Sequence, residues 1–261
     1  MKGIIGAIAG DIIGSPYEFN GIKSKDFHLF SKISTFTDDT VMTLAIAKWL
    51  WEDRESEDVL IKNLKYFGNK YPNAGYGGRF RQWLKQDSPE AYGSWANGSA
   101  MRVSPCAWVA DSLEEAQDLA YKSAVVTHNH SEGIKGALAT VDAIYLSRIG
   151  ASKEEIKNHV EVRYEYDLSR SLDEIRPYYK FDVSCKGSVP ESIICFLEAQ
   201  DFEDTIRNAV SLGGDADTQA AIAGSIASAY WDVSKNISYK AIHRLDYRLL
   251  NVFIEFEEKF M

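Results

Sequence analysis

The chain has little cysteine: Cys106, Cys185 and Cys195 are the only three in 261 residues, and none stands in a C-x-x-C pair. That argues against a disulfide framework or a zinc-finger spacing and points to a reducing, cytoplasmic setting. A basic surplus is missing as well. With 29 Lys and Arg against 38 Asp and Glu, the formal charge is −9, so no general attraction to nucleic acid or to an anionic membrane face is expected. An anionic ligand must then be recognised by local groups. The apolar stretch 3–14 is short and broken by Asp11, which fits neither a membrane span nor a secretory core. Alternating strand patterns, low-complexity linkers and repeats of solenoid period are also lacking. What remains is the expectation of a single soluble all-α domain over 1–261, with 45% hydrophobic residues to fill its core.

Helical periodicity is what the sequence does have. Three-to-four spacing predicts helices after Thr40 (Val41, Leu44, Ala45, Lys48 to Leu50) and over 113–126, 131–147, 153–160 and 191–199. Two segments carry small residues at every fourth position, Gly6, Gly10 and Gly14 in one, Ala216, Ala220, Gly224 and Ser228 in the other. Residues four apart share a helix face, so such stripes let two backbones approach closely. That packing would bring the two ends of the chain to one place. Between them, 69–97 and 164–190 are rich in turn formers and aromatics and read as loops, the first around a short helix near Arg81 to Lys85. Loops of this length inside a domain are usually functional.

Two acidic boxes stand where those ends would meet, Thr37-Asp38-Asp39-Thr40 and Asp215-Ala216-Asp217-Thr218. Each places two carboxylates and a hydroxyl within four residues, and Gly213-Gly214 allows a tight turn before the second. An all-oxygen set suits hard cations such as Mg²⁺ or Mn²⁺ better than zinc. Either box alone is equally the pattern of a helix N-cap with acidic residues in the first turn. Their pairing points instead to one site with two metals. His128 and His130 do not extend it: two residues apart on a helix, they diverge by roughly 200°. Cys185 has no base nearby in sequence and reads as a small buried hydrophobe.

The order of motifs resembles the ADP-ribosylglycohydrolases related to dinitrogenase reductase-activating glycohydrolase. The resemblance runs through Gly10-Asp11-Ile12-Ile13-Gly14-Ser15-Pro16-Tyr17-Glu18, Phe36-Thr37-Asp38-Asp39-Thr40, Asn97-Gly98-Ser99-Ala100-Met101-Arg102, Thr127-His128 and Gly213-Gly214-Asp215-Ala216-Asp217-Thr218. It implies an all-α orthogonal helical fold with two divalent ions, Mg²⁺ or Mn²⁺, at the floor of an ADP-ribose cleft. By the same resemblance Thr37, Asp38, Asp39, Asp215, Asp217 and Thr218 are the metal ligands. Asp38, Asp217 and Glu18 are the catalytic residues, Glu18 either as acid/base or as the group that steers the attacking water.

The segment from Gly93 to Arg102 resembles the family's diphosphate and distal-ribose loop. That makes Gly93, Ser94, Asn97, Gly98, Ser99 and Met101 substrate-binding residues, with His128 near the phosphates. Trp95 either stacks on the ligand or belongs to the core. Residues 184–190 resemble a loop that borders the adenosine. The expected partner is an ADP-ribosylated protein or a small ADP-ribose conjugate, cleaved at its N- or O-glycosidic bond; the oligomeric state is left open. Relatives acting on ADP-ribosylarginine carry a carboxylate a few residues before the asparagine, where this chain has Gly93 and Ser94, which favours O-linked substrates. Two rival readings are an ADP-ribose-binding protein without catalysis and a dinuclear-metal phosphatase or nucleotide hydrolase.

Overall fold

A computed structural model describes residues 1–261 as an all-α protein. In chain order the helices are α1 (Ile5–Gly14), α2 (Asp38–Asp53), α3 (Glu57–Lys70), α4 (Gly78–Leu84), α5 (Gly98–Met101), α6 (Ser104–Val109), α7 (Leu113–Val125), α8 (Ser131–Arg148), α9 (Lys153–Tyr164), α10 (Leu172–Ile175), α11 (Cys185–Glu198), α12 (Phe202–Val210), α13 (Ala216–Tyr230), α14 (Lys235–Ile242) and α15 (Tyr247–Phe260). A 3₁₀ turn, Ser15–Tyr17, prolongs α1. The nearest thing to a sheet is one isolated antiparallel bridge between Ala96 and Ser184. No helix is long and apolar enough to cross a membrane.

Helix starts follow from the sequence. Ser56, Ser112, Ser152, Ser171, Ser184, Asp201, Ser234 and Asp246 each stand one residue before a helix and accept a hydrogen bond from a backbone N–H of its first turn. Ser152 with Glu155 and Ser171 with Glu174 close full capping boxes. Each such cap stabilises its helix by about 1 kcal/mol. One boundary differs markedly from the periodicity. α11 starts at Cys185, six residues before the expected Glu191, because Ser184 caps it through the Gly187 N–H at 3.0 Å. Pro190 therefore lies inside a helix rather than at the end of a loop, and burial of Val189, Ile193, Ile194 and Phe196 offsets its missing donor. The stretch 164–190 also contains α10, so it is less irregular than its prolines and glycine suggest.

The two small-residue helices form the axis of the molecule. All ten residues of α1 are buried, as is every residue of α13 but Tyr230. A methyl group on Gly10 would lie 2.0 Å from the Ala220 carbonyl oxygen, and one on Gly224 2.5 Å from that of Gly6. The backbones touch directly, as the stripes predict. The Ser228 hydroxyl adds a hydrogen bond to the Gly3 carbonyl at 2.9 Å. α2, α8, α11 and α12 pack around this pair. One apolar cluster runs from Ile4 to Phe256.

Candidate active site

Close packing of α1 on α13 puts the start of α13 beside Asp11 and the start of α2. There the capping interpretation can be judged for each box. In the first box it holds: Thr37 is the N-cap of α2, and its hydroxyl oxygen accepts from the Asp39 N–H at 3.3 Å. In the second it does not. Asp215 occupies the N-cap position of α13 but makes no side-chain cap; its Oδ2 instead accepts from the Asn97 amide at 2.7 Å.

The boxes meet directly, since the Thr218 hydroxyl donates to Asp39 Oδ2 at 3.2 Å. Two carboxylate groups form around this contact, Asp11, Asp39 and Asp217 in one, Glu18, Asp215 and Asp217 in the other, each with ligand atoms within 4.8 Å of one another. Asp217 belongs to both. Asp38 is half-buried beside them, its N–H bonded to the Ala74 carbonyl at 2.7 Å and its carboxylate against Gly75, whose φ of +118° only glycine adopts freely. None of these six carboxylates takes part in a salt bridge. Burial and mutual repulsion push Asp38, Asp39 and Asp217 well above the ordinary carboxylate range, and Asp11 and Asp215 upward. Glu18 is pushed up to about 7, by burial first and then by the charges of Asp215 and Asp11.

Such a cluster demands positive charge. Asp39 Oδ1 is buried without a partner, the condition a bound cation relieves. Oxygen donors without histidine or thiolate fit Mg²⁺ or Mn²⁺, and a carboxylate common to both groups fits a pair of ions. In the sequence Asp11 interrupts the first apolar stretch and stands in the Gly10–Glu18 motif, but neither gave it a role. Its Oδ2 accepts from the Thr37 and Thr40 N–H groups at 2.9 and 3.0 Å, and its Oδ1 from the Thr37 hydroxyl at 2.7 Å. Asp11 thus orients Thr37 and the first turn of α2, leaving a lone pair of Thr37 free. The signal that could have found it is a single carboxylate on the small-residue face of a buried helix.

The cluster floors a cavity of about 410 Å³. Glu18, Asp38, Asp39, Asp215, Asp217 and Thr218 line the acidic end, and Arg79, Tyr92, Ser94, Gly98, Met101, Arg102 and His128 line the rest, with Asn97, bonded to Asp215, joining the two and Phe19, Phe181 and Val183 among the lining as well. His128 is buried and bonded through Nδ1 to the Thr127 hydroxyl at 2.7 Å. Burial, helped by Arg102 and Arg79, holds it well below the usual histidine range, so the ring is neutral. His130 is elsewhere, exposed and capping α8 through Nδ1. Three expected binding residues do not face the cavity. Ser99 is sealed and donates to the Gly133 carbonyl at 2.7 Å, and Gly93, at φ +64°, turns its N–H to Asn129 Oδ1. Trp95 is neither core nor lining: it is 47% exposed, next to the backbone bridge at Ala96. Cys185 is fully buried and its thiol donates to the Ala96 carbonyl; burial pushes it up to about 12, an inert thiol.

Residues 1–257 match the family model of the ADP-ribosylglycohydrolases. The chain belongs to the ADP-ribosylglycohydrolase family. Among curated relatives it is 27% identical over 311 residues to ADP-ribosylhydrolase ARH3 of Mus musculus, covering 89% of this chain and 83% of that one. It is 25% identical over 272 residues to ADP-ribosylarginine hydrolase Tri1 of Pseudomonas putida, covering 88% and 70%. The fold of this family member matches a solved chain described as an ADP-ribosylglycohydrolase-related protein complex, with a TM-score of 0.75 at 20% identity over 99% of this chain and 96% of that one.

Proposed function

We propose that the chain hydrolyses the glycosidic bond between ADP-ribose and an acceptor group, using two divalent ions at the carboxylate cluster. The observation that carries this is the shape of one cavity: two carboxylate groups sharing Asp217 at one end, hydrogen-bond donors at the other. Thr37, Asp38, Asp39, Asp215, Asp217 and Thr218 would hold the ions, with Asp11 setting the first box. When bound, the ions supply Lewis-acid polarisation at the ribose hydroxyls and the attacking water. Glu18, raised to about 7 and adjoining Asp215 and Asp217, takes a proton from that water or returns one to the departing acceptor. Water forms the new bond to the anomeric carbon as the acceptor bond breaks. Asn97 keeps Asp215 oriented, and Arg79, Tyr92 and His128 offer donors to the diphosphate.

The acceptor is the finer question. Between Tyr92 and Val103 there is no Asp or Glu, and from 164–190 only Phe181 and Val183 line the cavity. A cationic guanidinium leaving group therefore meets no carboxylate beyond those of the cluster and Glu18, whereas an oxygen-linked acceptor needs none. We read O-linked ADP-ribose as the better substrate, residues 1–261 as one domain, and the reducing cytoplasm as the setting of the three free cysteines. Incubation of the Mg²⁺-loaded protein with N- and O-linked ADP-ribosyl substrates, analysed by mass spectrometry, tests this. Free ADP-ribose with an intact diphosphate is expected, with kcat/KM higher for the O-linkage. AMP and phosphate would make it a nucleotide hydrolase, and tight binding without product a reader of ADP-ribose.

A further inference from the structure

At the donor end of the cavity stands a group that is costly by itself. Arg102 is 1% exposed and has no carboxylate partner. Its Nη2 donates to the Ser123 carbonyl and, at 2.9 Å, to the Thr127 hydroxyl oxygen, while Nε is buried with no partner. A guanidinium never accepts, so Thr127 Oγ1 must receive this bond. The Thr127 proton then has two places to go. One is the Ala124 carbonyl, 3.5 Å away and already accepting the N–H groups of Thr127 and His128 at 3.1 and 2.7 Å. The other is His128 Nδ1, at 2.7 Å. A saturated carbonyl at the edge of hydrogen-bond range loses to a free imidazole lone pair at ideal distance.

We infer that Arg102 and Thr127 form a one-way relay that fixes His128 in its Nε2–H tautomer, presenting a neutral donor to an anionic oxygen in the cavity. With Nδ1 accepting, the single proton of the neutral ring sits on Nε2. That nitrogen bonds to no protein group and lies against Gly98, where an added methyl would come within 3.0 Å of it. The direction of the relay is set at its far end, because only Arg102 of the three has a fixed hydrogen-bonding role. Arg102 and Thr127 are thus positioning residues. The identity of the anion, a phosphoryl oxygen of ADP-ribose, rests on the function proposed above; the tautomer does not.

Nitrogen-15 NMR of the ligand-free protein, with the His128 signals among the five histidines assigned by His128→Gln, tests the relay without substrate. Wild-type protein should show Nε2 protonated and Nδ1 bare. Nδ1 protonated instead overturns the inference. Thr127→Val should populate both tautomers and weaken ADP-ribose binding by about tenfold, the size of one hydrogen bond to a charged group, with kcat changed less than KM. Thr127→Ser, which keeps the hydroxyl, should restore both the single tautomer and the affinity. A Thr127→Val protein that folds and keeps one tautomer would also overturn the relay, and if that variant does not fold the wild-type spectrum still decides. Failure of ADP-ribose to bind a protein with the expected tautomer would sink the ligand assignment and leave the relay standing.

Discussion

The two ends of the cavity are electrostatic opposites within a single fold. One gathers Glu18, Asp38, Asp39, Asp215 and Asp217, with the sealed Asp11 grouped with Asp39 and Asp217, and no cationic side chain; the other gathers Arg79, Arg102, Tyr92 and His128 with no carboxylate. Each is unbalanced by itself, and each lacks the kind of charge a ligand would bring. The acidic end lacks a cation, and the basic end an anion. The divalent ions and the ADP-ribose proposed above would complete both. Unfavourable charge stored in the protein marks where its ligands bind.

That contrast can be broken most severely at Asp217, the carboxylate common to both acidic groups. Asp217→Ala, and likewise Asp38→Ala, should abolish measurable turnover, and in each variant the rise in Tm that Mg²⁺ gives the wild type should vanish. Excess EDTA should silence the wild type and Mg²⁺ or Mn²⁺ should restore it; full activity in EDTA would refute the division into a cation end and an anion end. Next comes Glu18→Gln, which removes charge but little shape. Turnover should fall by about 10²–10⁴-fold with ADP-ribose affinity nearly unchanged, and a large loss of affinity at constant kcat would recast Glu18 as a binding group.

A third break acts on the scaffold that joins the acidic boxes. Gly10→Ala sets a methyl against the Ala220 backbone at 2.0 Å, where neither helix has a flexible side chain to yield, so a loss of about 3 kcal/mol is expected. Thermal unfolding would read it as a marked drop in Tm, and an unchanged Tm would mean the axis is looser than it looks. Outside the cavity, Glu257 supplies a control, a carboxylate whose Oε1 is buried against Gly3 without a partner and whose pKa is pushed up to about 7 by burial. A raised carboxyl opposes folding as pH climbs from its unfolded value near 4.5 through about 7, and not below. Glu257→Gln should therefore leave Tm unchanged at pH 4 and stabilise by about 3 kcal/mol at pH 8, with no dependence on Mg²⁺. A Mg²⁺ dependence there would blur the distinction between the site's carboxylates and incidental ones. The smallest effect belongs to the basic end. Arg79→Ala, losing a guanidinium held over the Tyr92 ring at 4.9 Å, should weaken ADP-ribose binding about tenfold while the Mg²⁺-induced Tm shift stays intact.

The acidic end was far more legible in the sequence than the basic one. Carboxylates crowd into two short boxes, and periodic small residues announced the helix contact that unites them. Asp11 escaped a role because its partners, the Thr37 and Thr40 N–H groups, lie 26 and 29 residues on. Arg79, Tyr92 and Phe181 escaped because each comes from a different loop or short helix, with no shared spacing to betray them. Arg102 lay inside a recognised motif, yet nothing local says that it is buried and unpaired. Trp95 shows the limit of composition: an aromatic is equally at home in a core, on a ligand or in solvent, and this one is half exposed outside the cavity wall.

The contact between Thr218 and Asp39 spans 179 residues, and this has a kinetic meaning. A growing chain exposes its first acidic box long before the helix that completes it exists. At about 5–20 residues per second of synthesis, that wait is on the order of 10–40 s, during which α1 has no α13 to lie against and its glycine face stays open. Such non-local closure is slow to form. The cation site proposed above cannot assemble on a nascent chain before α13 has been made, so a fragment ending short of residue 216 would hold the first acidic box without its partner.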